Sequence, residues 1–158
     1  MLSFGTDRTA KLLMPSSFAR KARDMHAKPI MVLLIGETAR SSSNLLEWLR
    51  RRGSCCQFSR SYGDACHLIR STQFDLVLSE YALPDRTAFP LLDHLEGSSA
   101  TLFFSARVED GALWLKMLER GRRCVGAPIV RSSDLPKALG TLLDAAFEAH
   151  AKETVSAG

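Results

Sequence analysis

The chain has 158 residues, of which 46% are apolar and 24% charged, so it can bury the core of one ordinary domain and is neither a disordered polyelectrolyte nor a coiled-coil rod. No apolar run approaches the roughly 18 residues of a membrane span, and the N-terminus lacks the apolar stretch and cleavage site of a secretory leader, which points to the cytoplasm. The net charge of +4 is carried by residues 1–29, where six basic side chains (Arg8, Lys11, Arg20, Lys21, Arg23, Lys28) face two acidic ones (Asp7, Asp24). Everything from Ile30 onward sums to zero, which argues against a nucleic-acid-binding fold.

Residues 1–29 mix Ser, Thr, Arg, Lys and Pro without a sustained period and are expected to be a flexible basic arm. From Ile30 the pattern becomes regular. IMVLLI (30–35) is a continuous branched apolar run ending at Gly36, as expected of a strand covered on both faces. Residues 39–52 place Leu45, Leu46, Trp48 and Leu49 at helical spacing before Arg50–Arg52 and Gly53, a basic helix end with a glycine stop. CCQFS (55–59) reads as a short strand, and a helix begins near Tyr62 and runs through DACHLIRS. FDLVLS (74–79) is a second buried strand that runs into Glu80 and the turn Leu83–Pro84–Asp85.

Residues 87–96 are expected to be helical with Phe89, Leu91, Leu92 and Leu95 inward, and TLFFS (101–105) is a third buried strand. EDGALWLKMLER (109–120) carries Leu113, Met117 and Leu118 at helical spacing and predicts a helix. CVGAPI (124–129) predicts a weak strand ended by Pro128. A Ser/Asp cap then opens a helix over 132–150, with Leu135, Ala138, Leu139, Leu142, Leu143, Ala146 and Phe147 as its apolar stripe. Strands alternating with helices predict a doubly wound, five-stranded parallel sheet in a three-layer α/β/α arrangement over 30–150, followed by a short tail, 151–158. Ligands in such sheets sit beyond the carboxyl ends of the strands, which singles out Gly36–Glu37, Glu80–Ala82, Ser105–Ala106 and Ala127–Pro128.

At those positions the chain resembles a two-component response-regulator receiver domain of flavodoxin-like fold. FDLVLSEYALPD (74–85) is similar to the family's strand running into its phospho-acceptor and the turn after it. YGDACHLI (62–69) and FFSA (103–106) fall where its second helix and fourth strand end are expected. The resemblance covers roughly 30–150 and implies carboxylates around Mg²⁺, a hydroxyl and a lysine, which together carry aspartyl phosphorylation. Here Gly36 stands at the first acidic position, Glu37 at the second, Glu80 at the acceptor, Ser105 at the hydroxyl and Ala127 at the lysine. Cys124 takes the place of the aromatic switch residue, and the loop 121–123 is one residue shorter than the pattern.

An added methylene at the acceptor and a missing lysine argue against in-line transfer, so the expected function is a non-catalytic pseudo-receiver. It would act by protein–protein interaction in bacterial phosphorelay signal transduction, with no cofactor. Only eight residues follow His150, so output would come from a partner such as a histidine kinase or a downstream effector, or from a homodimer. Trp114, Leu115, Arg120, Arg122 and Arg123 are the candidate interface, on the face where the resemblance implies docking. Glu80 as a mimic of a phosphorylated acceptor, directed at Ser105, is one reading of the carboxylate; a strand-end carboxylate satisfied by backbone N–H groups or water is another. Two functional alternatives are a phospho-receiver using Glu80, with a weak Mg²⁺ site from Glu37, Glu80 and the Ala82 carbonyl, and a regulator that binds nucleic acid through the arm.

The remaining chemistry-bearing residues have plainer readings. Cys55, Cys56, Cys66 and Cys124 have no metal-ligand spacing and read as small, buried, reduced thiols. His67, His94 and His150 lack an i+4 histidine and read as solvated or capping groups. No phosphate-cradling glycine motif accompanies the first strand.

Overall fold

A computed structural model describes residues 28–37, 43–108 and 111–157, so the basic arm apart from Lys28 and Pro29 lies outside the described residues. In chain order the elements are β1 (Ile30–Ile35), α1 (Ser43–Arg51), β2 (Ser54–Ser59), α2 (Tyr62–Ser71), β3 (Leu76–Glu80) and α3 (Leu91–Leu95). They continue with β4 (Thr101–Val108), β5 (Gly111–Glu119), β6 (Arg122–Arg123), β7 (Ile129–Arg131), a 3₁₀ turn (Ser132–Asp134) and α4 (Leu135–Ala157). The strands form one mixed sheet in the order β2-β1-β3-β4-β5-β6, with β7 also paired to β5.

The first four strands are parallel, in register Val32↔Leu76 and Leu78↔Phe103 through the centre. β1, β3 and the first half of β4 carry apolar runs because both faces are covered, whereas the edge strand β2 is largely half-exposed. Leu33, Ile35, Val77, Leu102 and Phe104 pack against Ala65 and Cys66 of α2 and Leu91, Leu92 and Leu95 of α3. The alternate residues Ile30, Val32, Leu34, Leu76, Leu78 and Phe103 pack against Leu45 and Leu49 of α1 and Leu135, Leu139 and Leu143 of α4. Each such fully buried side chain stabilises the fold by about 1.5–3 kcal/mol.

Asp85, from the Leu-Pro-Asp turn after β3, seats α2. Its two carboxylate oxygens accept from the Tyr62 and Gly63 amides at 2.9 and 3.0 Å, while Ser61 Oγ accepts from the Asp64 amide. These are the amides that a helix N-terminus leaves without intrahelical partners. The Tyr62 and Gly63 N–H groups hold the Asp85 carboxyl below its usual pKa.

Beyond β4 the architecture departs from the sequence expectation. Residues 111–119 are a strand antiparallel to β4, not a helix, so the sheet is mixed and not five parallel strands. Strand burial alternates at Ala112 and Trp114, then slips: Phe103 pairs with Lys116 but Leu102 with Leu118, leaving Met117 as an extra residue. That bulge is why Leu113, Met117 and Leu118 are spaced like one side of a helix. Residues 124–128 are not a strand; pairing begins at Ile129, and β7 runs antiparallel to β5. α3 is shorter than the expected 87–96, and Phe89 is exposed before it, not turned inward. α4 continues beyond His150 to Ala157. Among the described residues no helix is long and apolar enough to cross a membrane.

Candidate functional site: a carboxylate folded over Gly36

The carboxyl ends of β1, β3 and β4 meet at one rim. Side chains alternate across the sheet, so Glu80 follows Leu76 and Leu78 onto the α1/α4 face, and Ser105 follows Phe103 onto the same face. Glu80 and Ser105 are register partners, and the Tyr81 amide donates to the Ser105 carbonyl at 2.9 Å. Ser79 points the other way, is fully buried, and donates its hydroxyl to the Glu80 carbonyl at 2.8 Å. It has a packing role.

The Glu80 stem bends back over the end of β1. Its Oε2 accepts from the Glu37 amide at 3.1 Å. A Cβ on Gly36 would lie 2.3 Å from that same oxygen, and Gly36 has φ +99°, a left-handed conformation open chiefly to glycine. The carboxylate therefore fills the space that any side chain at position 36 would need. Its other oxygen, Oε1, lies 3.8 Å from Nη2 of Arg107, and the Glu80 side chain is 18% exposed. A backbone amide bonded to an ionised acceptor is worth about 1.5–3 kcal/mol, whereas the pair with the exposed Arg107 guanidinium is worth about 0–1 kcal/mol. The amide, not the arginine, fixes the carboxylate.

Other sequence-predicted residues scatter. The Glu37 side chain is exposed and faces Arg60, Oε1 to Nε 3.9 Å, so it contributes its amide to the site and not its carboxylate. Ala127 does not reach the rim. It lies two residues upstream of β7, which runs in the direction of β4 with Val130 level with Trp114 and Ser105, so Ala127 falls short of the rim. Cys124 is tied to β5 through its amide and the Met117 carbonyl, 3.0 Å.

Trp114 is 2% exposed on the α1/α4 face, where its indole N–H donates to Ser132 Oγ at 3.0 Å. It anchors the core and cannot serve as a surface contact. Leu115 faces the other way and is 37% exposed. Arg122 is exposed, and Arg123 bonds Asp93 at 3.0 Å and also pairs with Glu96 across to α3; these two acids hold its guanidinium above its usual pKa. Arg120 lies at the amino end of the sheet, apart from Leu115.

The thiols also divide. Cys66 is buried as expected, Cys55 is exposed, and burial raises the pKa of Cys56 and Cys124. His150, expected to be solvated or capping, is instead largely covered and lies 2.7 Å from Asp75. Arg107 escaped the sequence reading although period-two spacing from Ser105 along a longer β4 aims it at the rim.

Mg²⁺ prefers several hard oxygen donors at one point. Here one acidic position is glycine, the Glu37 carboxylate turns to Arg60, and Glu80 is engaged by an amide and faces a guanidinium. Among the described residues no group of three or more His, Cys, Asp or Glu converges on a metal position. Among the described residues these donors do not converge on one point.

No protein-family model, curated protein or solved structure matches the chain.

Proposed function

We propose that the chain is a degenerate, flavodoxin-like receiver that binds another signalling protein and does not transfer phosphate. The observation that carries this reading is the Glu80 carboxylate, held over Gly36 by the Glu37 amide and faced by Arg107. A nucleophilic carboxylate needs an open line of approach and convergent positive charge for the incoming phosphoryl group. This one is bent onto protein donors, and its lysine position, Ala127, lies before β7 begins, short of the rim. The strand order β2-β1-β3-β4, all parallel, with helices on both faces, supports a doubly wound origin for the first two-thirds of the domain.

Interaction is favoured by the antiparallel half. Tyr81 packs edge-on against Phe104, centroids 5.8 Å apart; Phe104 pairs with Leu115, and Leu115 with Ile129. Tyr81, Leu115 and Ile129 are 42%, 37% and 65% exposed, a row of apolar side chains on the α2/α3 face beyond the reach of those helices. On this reading a helix from a partner, such as a histidine kinase or an effector in a bacterial cytoplasm, supplies the missing layer.

Affinity capture from the source cell tests the proposal. Wild-type protein should retain a partner that Ile129→Glu and Leu115→Glu release, and treatment with acetyl phosphate and Mg²⁺ should not change the amount retained. Retention that depends on acetyl phosphate, or that survives both substitutions, contradicts it. Glu80→Gln in the same assay separates a charge-holding role, which alters retention, from a purely structural one.

A further inference from the structure

A cavity lies at the opposite end of the sheet from Glu80. About 480 Å³ in volume, it lies between α4 and the amino ends of β1, β3 and β4. That is within the range of small-molecule sites, roughly 300–1,000 Å³. Its apolar wall comes from Met31, Leu76, Leu142 and the Ala145, Ala146 and Ala149 side of α4. Four charged residues besides His150 line it: Lys28, Asp75, Glu119 and Arg120.

The charges do not balance locally. Asp75 is engaged at both oxygens: Oδ2 accepts from the Met31 amide at 2.8 Å, and Oδ1 lies 2.7 Å from His150 Nε2. The same ring has Nδ1 3.2 Å from the Lys28 carbonyl, so the imidazole is pinned at both nitrogens. Glu119 accepts from Lys116 Nζ at 3.0 Å. Both acids of the lining are thus occupied, whereas neither Lys28 nor Arg120 has an ion-pair partner among the described residues. The uncompensated charge of the cavity is positive.

Arg120 is also held in place at some cost. It has φ +51°, the single non-glycine residue with positive φ among those described. Its amide donates to Thr101 Oγ1 at 3.1 Å, and the following Gly121 amide donates to the Ala100 carbonyl at 2.8 Å. A Cβ at Gly121 would come 1.8 Å from the Ser98 carbonyl, so the turn is seated tightly against the start of β4. Backbone strain maintained by surrounding contacts recurs at ligand sites, where it presets a side chain's origin.

We propose that this cavity binds a small organic anion with an apolar body, a monocarboxylate in its simplest form. Lys28 and Arg120 meet the charged group, and the alanine face of α4 takes the hydrocarbon. The site is separate from the Glu80 rim and does not depend on the receiver reading.

Titration of the full-length ¹⁵N-labelled chain with octanoate tests it, with 1-octanol and inorganic phosphate as controls. Octanoate should move the amide resonances of Met31, Leu76, Arg120 and Ala146. Arg120→Asn, which keeps a residue tolerant of the left-handed backbone, and Lys28→Gln should each weaken it about tenfold, the scale of one charge-assisted contact. Octanol and phosphate should bind at least tenfold more weakly than octanoate. The proposal is overturned if octanol binds as well as octanoate, if both variants bind octanoate unchanged, or if no resonance near the cavity moves. Binding only after removal of residues 1–27 also overturns it, since the arm would then be the natural occupant.

Discussion

The two halves of the sheet are built on different terms. In the parallel half, β2-β1-β3-β4, helices cover both faces of the central strands, and four consecutive β1 residues, Val32 to Ile35, are fully buried. In the antiparallel half, β5 and β7 pack Trp114 and Val130 against α4 on one face, while the other face is covered only at the Leu118 end of β5. The other face shows Leu115 and Ile129 to solvent. The first half therefore stabilises itself, while the second is held by Trp114 on one face and Leu118 on the other and leaves Leu115 and Ile129 open to solvent. Glu80 and Arg107 sit where the halves meet.

Breaking the anchor should have the largest effect. Trp114→Ala removes a buried indole and leaves Ser132 without its N–H donor, at a cost of about 3–5 kcal/mol. Hydrogen exchange should show residues 111–131 losing protection ahead of β1 and β3. Uniform loss across the sheet would mean that the two halves form one cooperative unit.

Gly36→Ala comes next. It combines a left-handed φ with a Cβ placed against the Glu80 carboxylate, together costing about 3 kcal/mol in denaturant unfolding. Adding Glu80→Ala should recover the overpacking share, leaving a penalty of about 1–2 kcal/mol for the backbone. If the double variant is no better than the single, the carboxylate is not the group that fills that space.

Asp85 gives a pH-dependent effect within the parallel half. Its pKa is lowered by the Tyr62 and Gly63 amides, so its contribution is present above the ordinary carboxylate value and fades as pH falls through the lower, folded value. Asp85→Asn should lower Tm at pH 7, and the gap to wild type should close as the pH drops below about 4. A gap that widens in acid would reverse the assignment. The smallest effect is expected of Arg107→Ala, about 0–1 kcal/mol in unfolding, because the exposed pair is screened. A larger loss would make Arg107, not the Glu37 amide, the group that fixes Glu80.

The same division governs what the sequence discloses. Strands buried on both faces are written as unbroken apolar runs, so β1, β3 and β4 are legible, and the rim at Glu80 follows from where those runs stop. β5 is not, because the bulge at Met117 breaks the period-two pattern and the residues around it fit a helix equally well. The Asp110–Gly111 dipeptide, a hairpin signal, was the available clue: Val108 pairs directly with Gly111, which has φ +133°. Once β5 turns back, Ala127 leaves the rim and Trp114 enters the core, and neither move is visible from spacing alone. Gly36 was legible as a missing acid but not as the seat of Glu80, since that depends on how the longer stem folds. The Asp75–His150 contact joins residues 75 positions apart and has no local signal.

The central claim is that Glu80 is already satisfied by protein groups and is closed to phosphoryl transfer. Intact-mass measurement after incubation with acetyl phosphate and Mg²⁺ tests it most directly. The account predicts an unchanged mass for the wild-type chain. A phosphoryl adduct on the wild type that disappears in Glu80→Gln would contradict it.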